Sequence, residues 1–203
     1  MKSMTEKPSA GYPVNEIFYS LQGEGYHSGT PAIFIRFSGC NLKCDFCDTD
    51  FSSHVYMTVD EIIEEVRLYP ASVVVLTGGE PSLQPLGPLV ESLHAEGKKL
   101  HMETNGTQGI PWPIDWITCS PKRVCINGKN DYLLSPAIFK RADEVKIVLQ
   151  SEDGLEDLAD KFGTTNFFIQ PCSGSNIKEA IDYVLKNPRW RLSLQTHKMI
   201  DIP

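Results

Sequence analysis

From residue 32 onward the chain alternates between two hydrophobic periods. Short runs rich in β-branched and aromatic residues each predict a strand: "AIFIRFSG", "VVVLTGG", "KLHMETNG", "DWITCSPK", "EVKIVLQ", "NFFIQP" and "RLSLQTHK". Between them apolar residues recur at helical spacing. "TVDEIIEEVRLYP" predicts a helix opened by Thr58 and Glu61 as a capping box. "QPLGPLVESLHAEG" predicts a helix closed by Gly97. "SPAIFKRA" predicts a short helix with Ser135 as N-cap and Pro136 at its first position. "DGLEDLADKFG" and "IKEAIDYVLKNP" predict two more helices.

Strand–helix alternation implies a parallel sheet. With 203 residues the chain is short of the roughly 250 that a complete eightfold barrel needs. The expected fold is an α/β partial, incomplete TIM-like βα barrel of about six to seven mostly parallel strands; a flat doubly wound sheet is the runner-up. No linker, repeat or low-complexity tract divides the sequence. It reads as one domain over residues 1–203, with 1–14 a flexible N-terminal extension. The polar clusters "GCNLKC", "GGEP", "ETNG", "SPK", "QPCSG" and "THK" all follow predicted strands. That is the end where such architectures place their active sites.

Composition narrows the class of protein. Hydrophobic residues make up 41% and charged residues 22%, which suggests neither disorder nor a membrane protein. A net charge of −7 argues against coating nucleic acid directly. "MKSMTEKPSAGYP" has no apolar run of the secretory kind, and no stretch approaches a membrane span. The expectation is a cytoplasmic protein, where structural disulfides are rare.

Three of the six cysteines, Cys40, Cys44 and Cys47, form C-x3-C-x2-C. Cys119, Cys125 and Cys172 have no ligand spacing among themselves and read as small hydrophobes. A structural zinc site closes with four protein ligands, so here it needs Asp48, Asp50, His54 or a distant cysteine. Three thiolates on an iron–sulfur cluster instead leave one iron open to a further ligand. Phe46, between the last two cysteines, reads either as a packing residue or as a shield over the cluster or a cofactor ring.

The cysteine spacing, an aromatic before the last cysteine, and "GGEP" at the next strand end resemble the radical S-adenosylmethionine superfamily. That resemblance implies a 4Fe–4S cluster on Cys40, Cys44 and Cys47. Its open iron chelates S-adenosylmethionine and one electron releases a 5′-deoxyadenosyl radical. Gly79 permits close backbone approach and Glu80 would accept from the cofactor's amino group.

The flanks are more specific. "FYSLQGEG", "CDT", "TGGEP", "TCSPK", "QP" and the terminal "QTHKMIDIP" resemble the 7-carboxy-7-deazaguanine synthases over nearly the whole chain. The resemblance implies a carbon–nitrogen lyase of queuosine and 7-deazapurine biosynthesis. Such an enzyme converts 6-carboxy-5,6,7,8-tetrahydropterin to 7-carboxy-7-deazaguanine with loss of ammonia, regenerating the S-adenosylmethionine. It implies substrate binding by Leu21, Gln22, Gly23, Arg36, Thr77 and the carboxylate of Pro203, with His197 helping to shape the pocket. It implies cofactor contacts from Gly79, Glu80, Ser120, Pro121, Lys122, Gln170, Pro171, Cys172 and Ser173, and magnesium on Thr49. A homodimer reduced by a flavodoxin-like donor is expected. Two other classes compete: a glycyl-radical activase acting on a protein, and a non-catalytic zinc or iron–sulfur module.

Overall fold

Among the described residues, seven parallel strands lie side by side in the order in which the chain makes them. The structure, a computed structural model, describes residues 11–47, 53–126, 129–172 and 174–203. The parallel run is β2 (Pro31–Phe37), β4 (Val73–Gly78), β5 (Lys99–Thr104), β6 (Trp116–Cys119), β9 (Glu144–Val148), β10 (Phe167–Gln170) and β11 (Trp190–Leu192). Two antiparallel strands extend it past β2: β1 (Tyr12–Leu21) pairs with β2, and β3 (Val55–Met57) pairs with the first residues of β1. β7 (Arg123–Ile126) and β8 (Lys129–Tyr132) form a separate hairpin. The chain is therefore mixed α/β with a mostly parallel sheet. The parallel order never reverses among the described residues, so the switch point of a doubly wound sheet is missing.

The strand sequences explain the layers. Side chains alternate across a strand. Val74, Leu76, Leu100, Met102, Val145 and Ile147 point into one aliphatic core. There they join helix residues such as Ile62 and Val66 of α1 (Val59–Arg67) and Leu89 and Leu93 of α2 (Gly87–Ala95). Thr58 and Glu61 cap α1 reciprocally, as the sequence predicts. Parallel crossovers share one hand, which keeps the helices on that face. The intervening strand positions carry Thr77, His101, Glu103, Lys146 and Gln170, so the other face is polar. Cys119 lies in the aliphatic core, where burial pushes its thiol far above the usual range; Cys125 is exposed.

Several expectations are corrected. A flexible extension does not reach residue 14: Tyr12 and Val14 are buried in the core and β1 starts at Tyr12. Residues 1–10 lie outside the described residues. β1 escapes the sequence pattern because a bulge between Val14 and Glu16 breaks its alternation. Ser135 does not cap α3 (Ile138–Arg141), whose first flanking residue is Ala137. The Ser135 N–H bonds the Gly106 carbonyl at 2.9 Å, which tethers it before the helix begins. "RLSLQTHK" is not one strand: β11 ends at Leu192, and Thr196–Met199 forms α6. The Thr196 N–H and hydroxyl both bond the Gly23 carbonyl, at 3.0 and 2.8 Å, pulling the chain off the strand path. Among the described residues the remaining α-helices are α4 (Leu155–Ala159) and α5 (Ile177–Lys186). No helix among the described residues is long and apolar enough to cross a membrane.

Candidate active site

Two cavities open on the polar face at the C-terminal ends of the parallel strands. The larger, about 440 Å³, is walled by Cys40, Cys44, Phe46 and Cys47 on one side. Gly79, Ser120, Lys122, Gln170, Pro171 and Cys172 wall the other. Cys40 follows the end of β2 by three positions, and the turn after β4 holds that loop in place. The Gly79 N–H donates to the Phe37 carbonyl at 2.9 Å, and the Glu80 N–H to the Gly39 carbonyl at 2.9 Å. A Cβ on Gly79 would overlap the Gly39 carbonyl, so only glycine allows the two backbones to meet.

The cysteine loop suits an iron–sulfur cluster. All three cysteines line one cavity, and Lys122 places its ammonium 5.9 Å from the Phe46 ring centre. Burial raises the Cys44 thiol above its usual range; Lys122 opposes this, while Cys40, Cys47 and Asp45 add to it. Among the described residues no group of three His, Cys, Asp or Glu is set to hold a single ion. The thiolates of a cluster each take a different iron, so they need not converge on one point. The donor set, all sulfur and beside a cation, fits the cluster.

Glu80 has a different place from the one expected. It has no exposed surface and lines neither cavity. Its Oε1 accepts from the Ser82 N–H at 3.0 Å, the Ser82 hydroxyl at 2.5 Å and the Thr104 hydroxyl at 2.7 Å. Its Oε2 accepts from the Asn105 N–H at 2.6 Å. These bonds tie the turn after β4 to the end of β5. Asn105 in turn reaches Asn41 Oδ1 at 3.0 Å, inside the cysteine loop. Glu80 thus braces the cavity wall from behind. Pro121 is likewise buried, between the two wall residues Ser120 and Lys122. Thr49 and Ser173 lie outside the described residues.

The smaller cavity, about 280 Å³, gathers every residue expected at the substrate: Leu21, Gln22, Gly23, Arg36, Thr77 and Pro203, with His197. The Phe18 and Phe34 rings stack 4.9 Å apart on its wall. Arg36 and Thr77 are register partners on β2 and β4, which puts both on the same face. The Arg36 Nε–H donates to Glu16 Oε1 at 2.7 Å. Pro203 comes from the far end of the chain; its carbonyl oxygen accepts from the Ser20 hydroxyl at 2.7 Å.

Glu24, Thr77, Glu103 and Gln195 line both cavities. The two spaces therefore share a wall. Comparison with known proteins is decisive here. The chain is 53% identical over 189 residues to the 7-carboxy-7-deazaguanine synthase of Bacteroides thetaiotaomicron, covering 93% of this chain and 97% of that one. It is 40% identical to the enzyme of the same name from Burkholderia multivorans, covering 95% and 99%. The chain belongs to the 7-carboxy-7-deazaguanine synthase family. The crystal structure of QueE from Escherichia coli superposes with a TM-score of 0.79 at 30% identity, over 92% of this chain and 95% of that one. The radical SAM superfamily pattern matches residues 34–112, a stretch that holds the three cysteines and "GGEP".

In this member of the synthase family, the shared wall apart from Thr77, with the lysine behind it, is the part that sequence reasoning missed. The Lys146 ammonium lies 2.6 Å from Glu24 Oε2 and 2.9 Å from Glu103 Oε2. Gln22 Nε2 donates to Glu103 Oε1 at 3.3 Å, and Gln195 Nε2 to Glu24 Oε1 at 2.9 Å. Burial alone would depress the lysine, but Glu103, Glu24 and Glu144 outweigh it and hold it charged. Burial would also raise the Glu24 carboxyl; Lys146, with Gln195 and His197, reverses this and holds it below its usual range. One signal was readable: Lys146 stands in the middle of the otherwise apolar "EVKIV".

Proposed function

We propose that the larger cavity holds a 4Fe–4S cluster on Cys40, Cys44 and Cys47 with S-adenosylmethionine beside it, and that the smaller one holds 6-carboxy-5,6,7,8-tetrahydropterin. The enzyme is a radical SAM lyase of queuosine biosynthesis. It converts that pterin to 7-carboxy-7-deazaguanine and ammonia, the activity for which its relatives are named. The observation that carries the reading is the shared wall at Thr77 and Glu103, which brings the two spaces into contact. When bound, the cluster and S-adenosylmethionine supply a radical able to take a hydrogen atom from the pterin.

The chain's own residues then bind, orient and exclude water. Arg36 offers a guanidinium to the pterin carboxylate, a pairing that favours the fork of arginine. Glu16 takes the Nε–H of Arg36 and so fixes the plane of the group. Gln22 and the backbone at Gly23 face the hydrogen-bonding edge of the pterin, as does Pro203. The stacked Phe18 and Phe34 close the wall nearby. Ser120, Lys122, Gln170, Pro171 and Cys172 hold the S-adenosylmethionine, and Gly79 lets the backbone reach it. Ser173 belongs with them, and Thr49 carries magnesium in this reading. A cavity of about 280 Å³ supports a bicyclic substrate over the protein substrate of a glycyl-radical activase.

The same reading makes the chain a single-domain, open partial barrel. The unreversed strand order supports it. A cytoplasmic homodimer reduced by a flavodoxin-like donor completes it. The test is anaerobic reconstitution with iron and sulfide, then incubation with the carboxypterin, S-adenosylmethionine and reductant. The expected result is equal amounts of ammonia and 7-carboxy-7-deazaguanine, with no net consumption of S-adenosylmethionine. Cofactor cleavage without ammonia release would overturn the assignment.

A further inference from the structure

The loop that carries Gln22, Gly23 and Glu24 into the substrate cavity continues through Gly25, Tyr26 and His27 before β2. Its far side rests directly on Glu144 and Ser193, which line neither cavity. The Tyr26 N–H donates to Glu144 Oε2 at 3.1 Å, and the Trp116 indole N–H donates to the same oxygen at 3.3 Å. The Gly25 N–H donates to the Ser193 hydroxyl at 2.9 Å, and that hydroxyl donates to Gln170 Oε1 at 3.1 Å. Glu144 is 1% exposed, and its Oε1 has no hydrogen-bond partner. Gly25 has φ +66°, and a Cβ there would overlap that Oε1. The loop thus fits against a buried carboxylate with no room for a side chain between them.

We infer that Glu144 is a positioning residue for substrate: its carboxylate latches the turn at Gly25 and Tyr26, and thereby sets Gln22, Gly23 and Glu24 in the cavity. This rests on the proposed pterin site. A buried carboxylate is costly unless it is hydrogen-bonded and paired. Here it holds a loop, since hydrogen bonds to a charged acceptor are about twice as strong as neutral ones. The groups around it are Lys146 on its own strand, Glu103 and His101 on β5, Trp116 on β6, and Tyr26 and His27 on the loop, with Arg191 of β11 over the Tyr26 ring. Burial raises the Glu144 carboxyl to about 7; Lys146 opposes this, Glu103 adds to it, and the Tyr26 and Trp116 donors oppose it. The latch is therefore stronger above neutral pH and weaker below it.

The test uses the reconstituted holoenzyme and the variants Glu144→Ala, Glu144→Gln and Gly25→Ala. Glu144→Ala should raise the KM for the carboxypterin about tenfold, with kcat within about twofold, because a binding loop is loosened without loss of a reacting group. Cluster iron and S-adenosylmethionine cleavage in the absence of pterin should stay normal. Wild-type KM should rise as pH falls from about 8 to about 6. Glu144→Gln, close to isosteric, should show a raised KM that no longer changes with pH. Amide hydrogen exchange at Gly25 and Tyr26 should speed up about tenfold or more in Glu144→Ala, a readout that needs no substrate. Gly25→Ala should match the KM defect with Glu144 intact. If Glu144→Ala proves unstable, Glu144→Gln carries the comparison. An unchanged KM, a pH profile that persists in Glu144→Gln, or unaltered exchange at Tyr26 would overturn the latch. If wild type releases no ammonia, the pterin assignment fails and the exchange experiment still decides the latch.

Discussion

Lys146 on β9 places its ammonium 2.6 Å from the Glu24 carboxylate, which arrives from a loop 122 positions earlier in the chain. Glu103 completes the group at 2.9 Å. Lys146→Met leaves two carboxylates in the wall without their cation. Breaking a buried pair in this way costs about 3–5 kcal/mol. The Glu24 carboxyl is held low, so its share of stability is present above 4.5 and fades as pH falls through the folded value. Thermal melts of Lys146→Met should therefore show a loss at neutral pH that shrinks in acid. A melting curve superposed on wild type at neutral pH would contradict this.

Glu80 separates bracing from direct cofactor contact. Glu80→Ala strips the acceptor from Ser82, Thr104 and Asn105 and should cost about 2–4 kcal/mol. Glu80→Gln keeps one oxygen and should cost about half as much. In both variants the loss of S-adenosylmethionine binding should follow the loss of stability. A Glu80→Gln protein as stable as wild type but unable to bind the cofactor would instead place Glu80 on the ligand.

Replacing Cys40, Cys44 or Cys47 by alanine should reduce bound iron and remove the visible absorption of the reconstituted protein. The same change at Cys119, Cys125 or Cys172 should leave iron content intact. Cys119→Ala should still lower the melting temperature, because that side chain is fully buried in the core.

Arg36→Lys keeps the charge and loses the fork. It should raise the KM for the carboxypterin about tenfold or more, with little change in S-adenosylmethionine cleavage. Glu16→Ala should raise KM by a smaller factor with almost no loss of stability, since an exposed ion pair contributes about 0–1 kcal/mol to folding. Equal KM values in wild type and both variants would make this pair structural only.

His101 and Glu144 oppose each other in acid. Burial, with help from His27, lowers His101 from 6.5 to about 4. Its stabilising effect is complete above 6.5 and is lost as pH falls toward 4. Glu144 is raised from 4.5 to about 7, so its effect is complete below 4.5 and is lost as pH rises toward 7. Each amounts to about 3 kcal/mol across its window, with opposite sign. Wild-type stability should be nearly level between these limits. Glu144→Gln should become more stable as pH rises through the window, and His101→Gln less stable. Parallel slopes in the two variants would refute the balance.

Much of this was readable in the chain because buried parallel strands are written as unbroken β-branched runs. "VVVLTGG" and "NFFIQP" gave β4 and β10, and the polar clusters after the strands marked the face of the site. The residues expected at substrate do share one cavity. What was hidden has physical causes. The β1 bulge breaks the period on which strand recognition depends. α6 forms because Thr196 meets the Gly23 carbonyl, a contact 173 positions apart that no local window contains. Glu80 followed a motif, but its burial depended on Thr104 at the end of β5 and Asn105 just after it.

The common wall also limits how this scaffold could be redesigned. Changes at Glu24, Thr77, Glu103 or Gln195 touch both cavities, so their effects on pterin choice and cofactor handling will not combine additively. Arg36 and Pro203 face one cavity, and Ser120 and Gln170 the other. Directed evolution toward a different bicyclic substrate therefore has its independent positions at the outer walls, and any library that includes the four inner ones must vary them together.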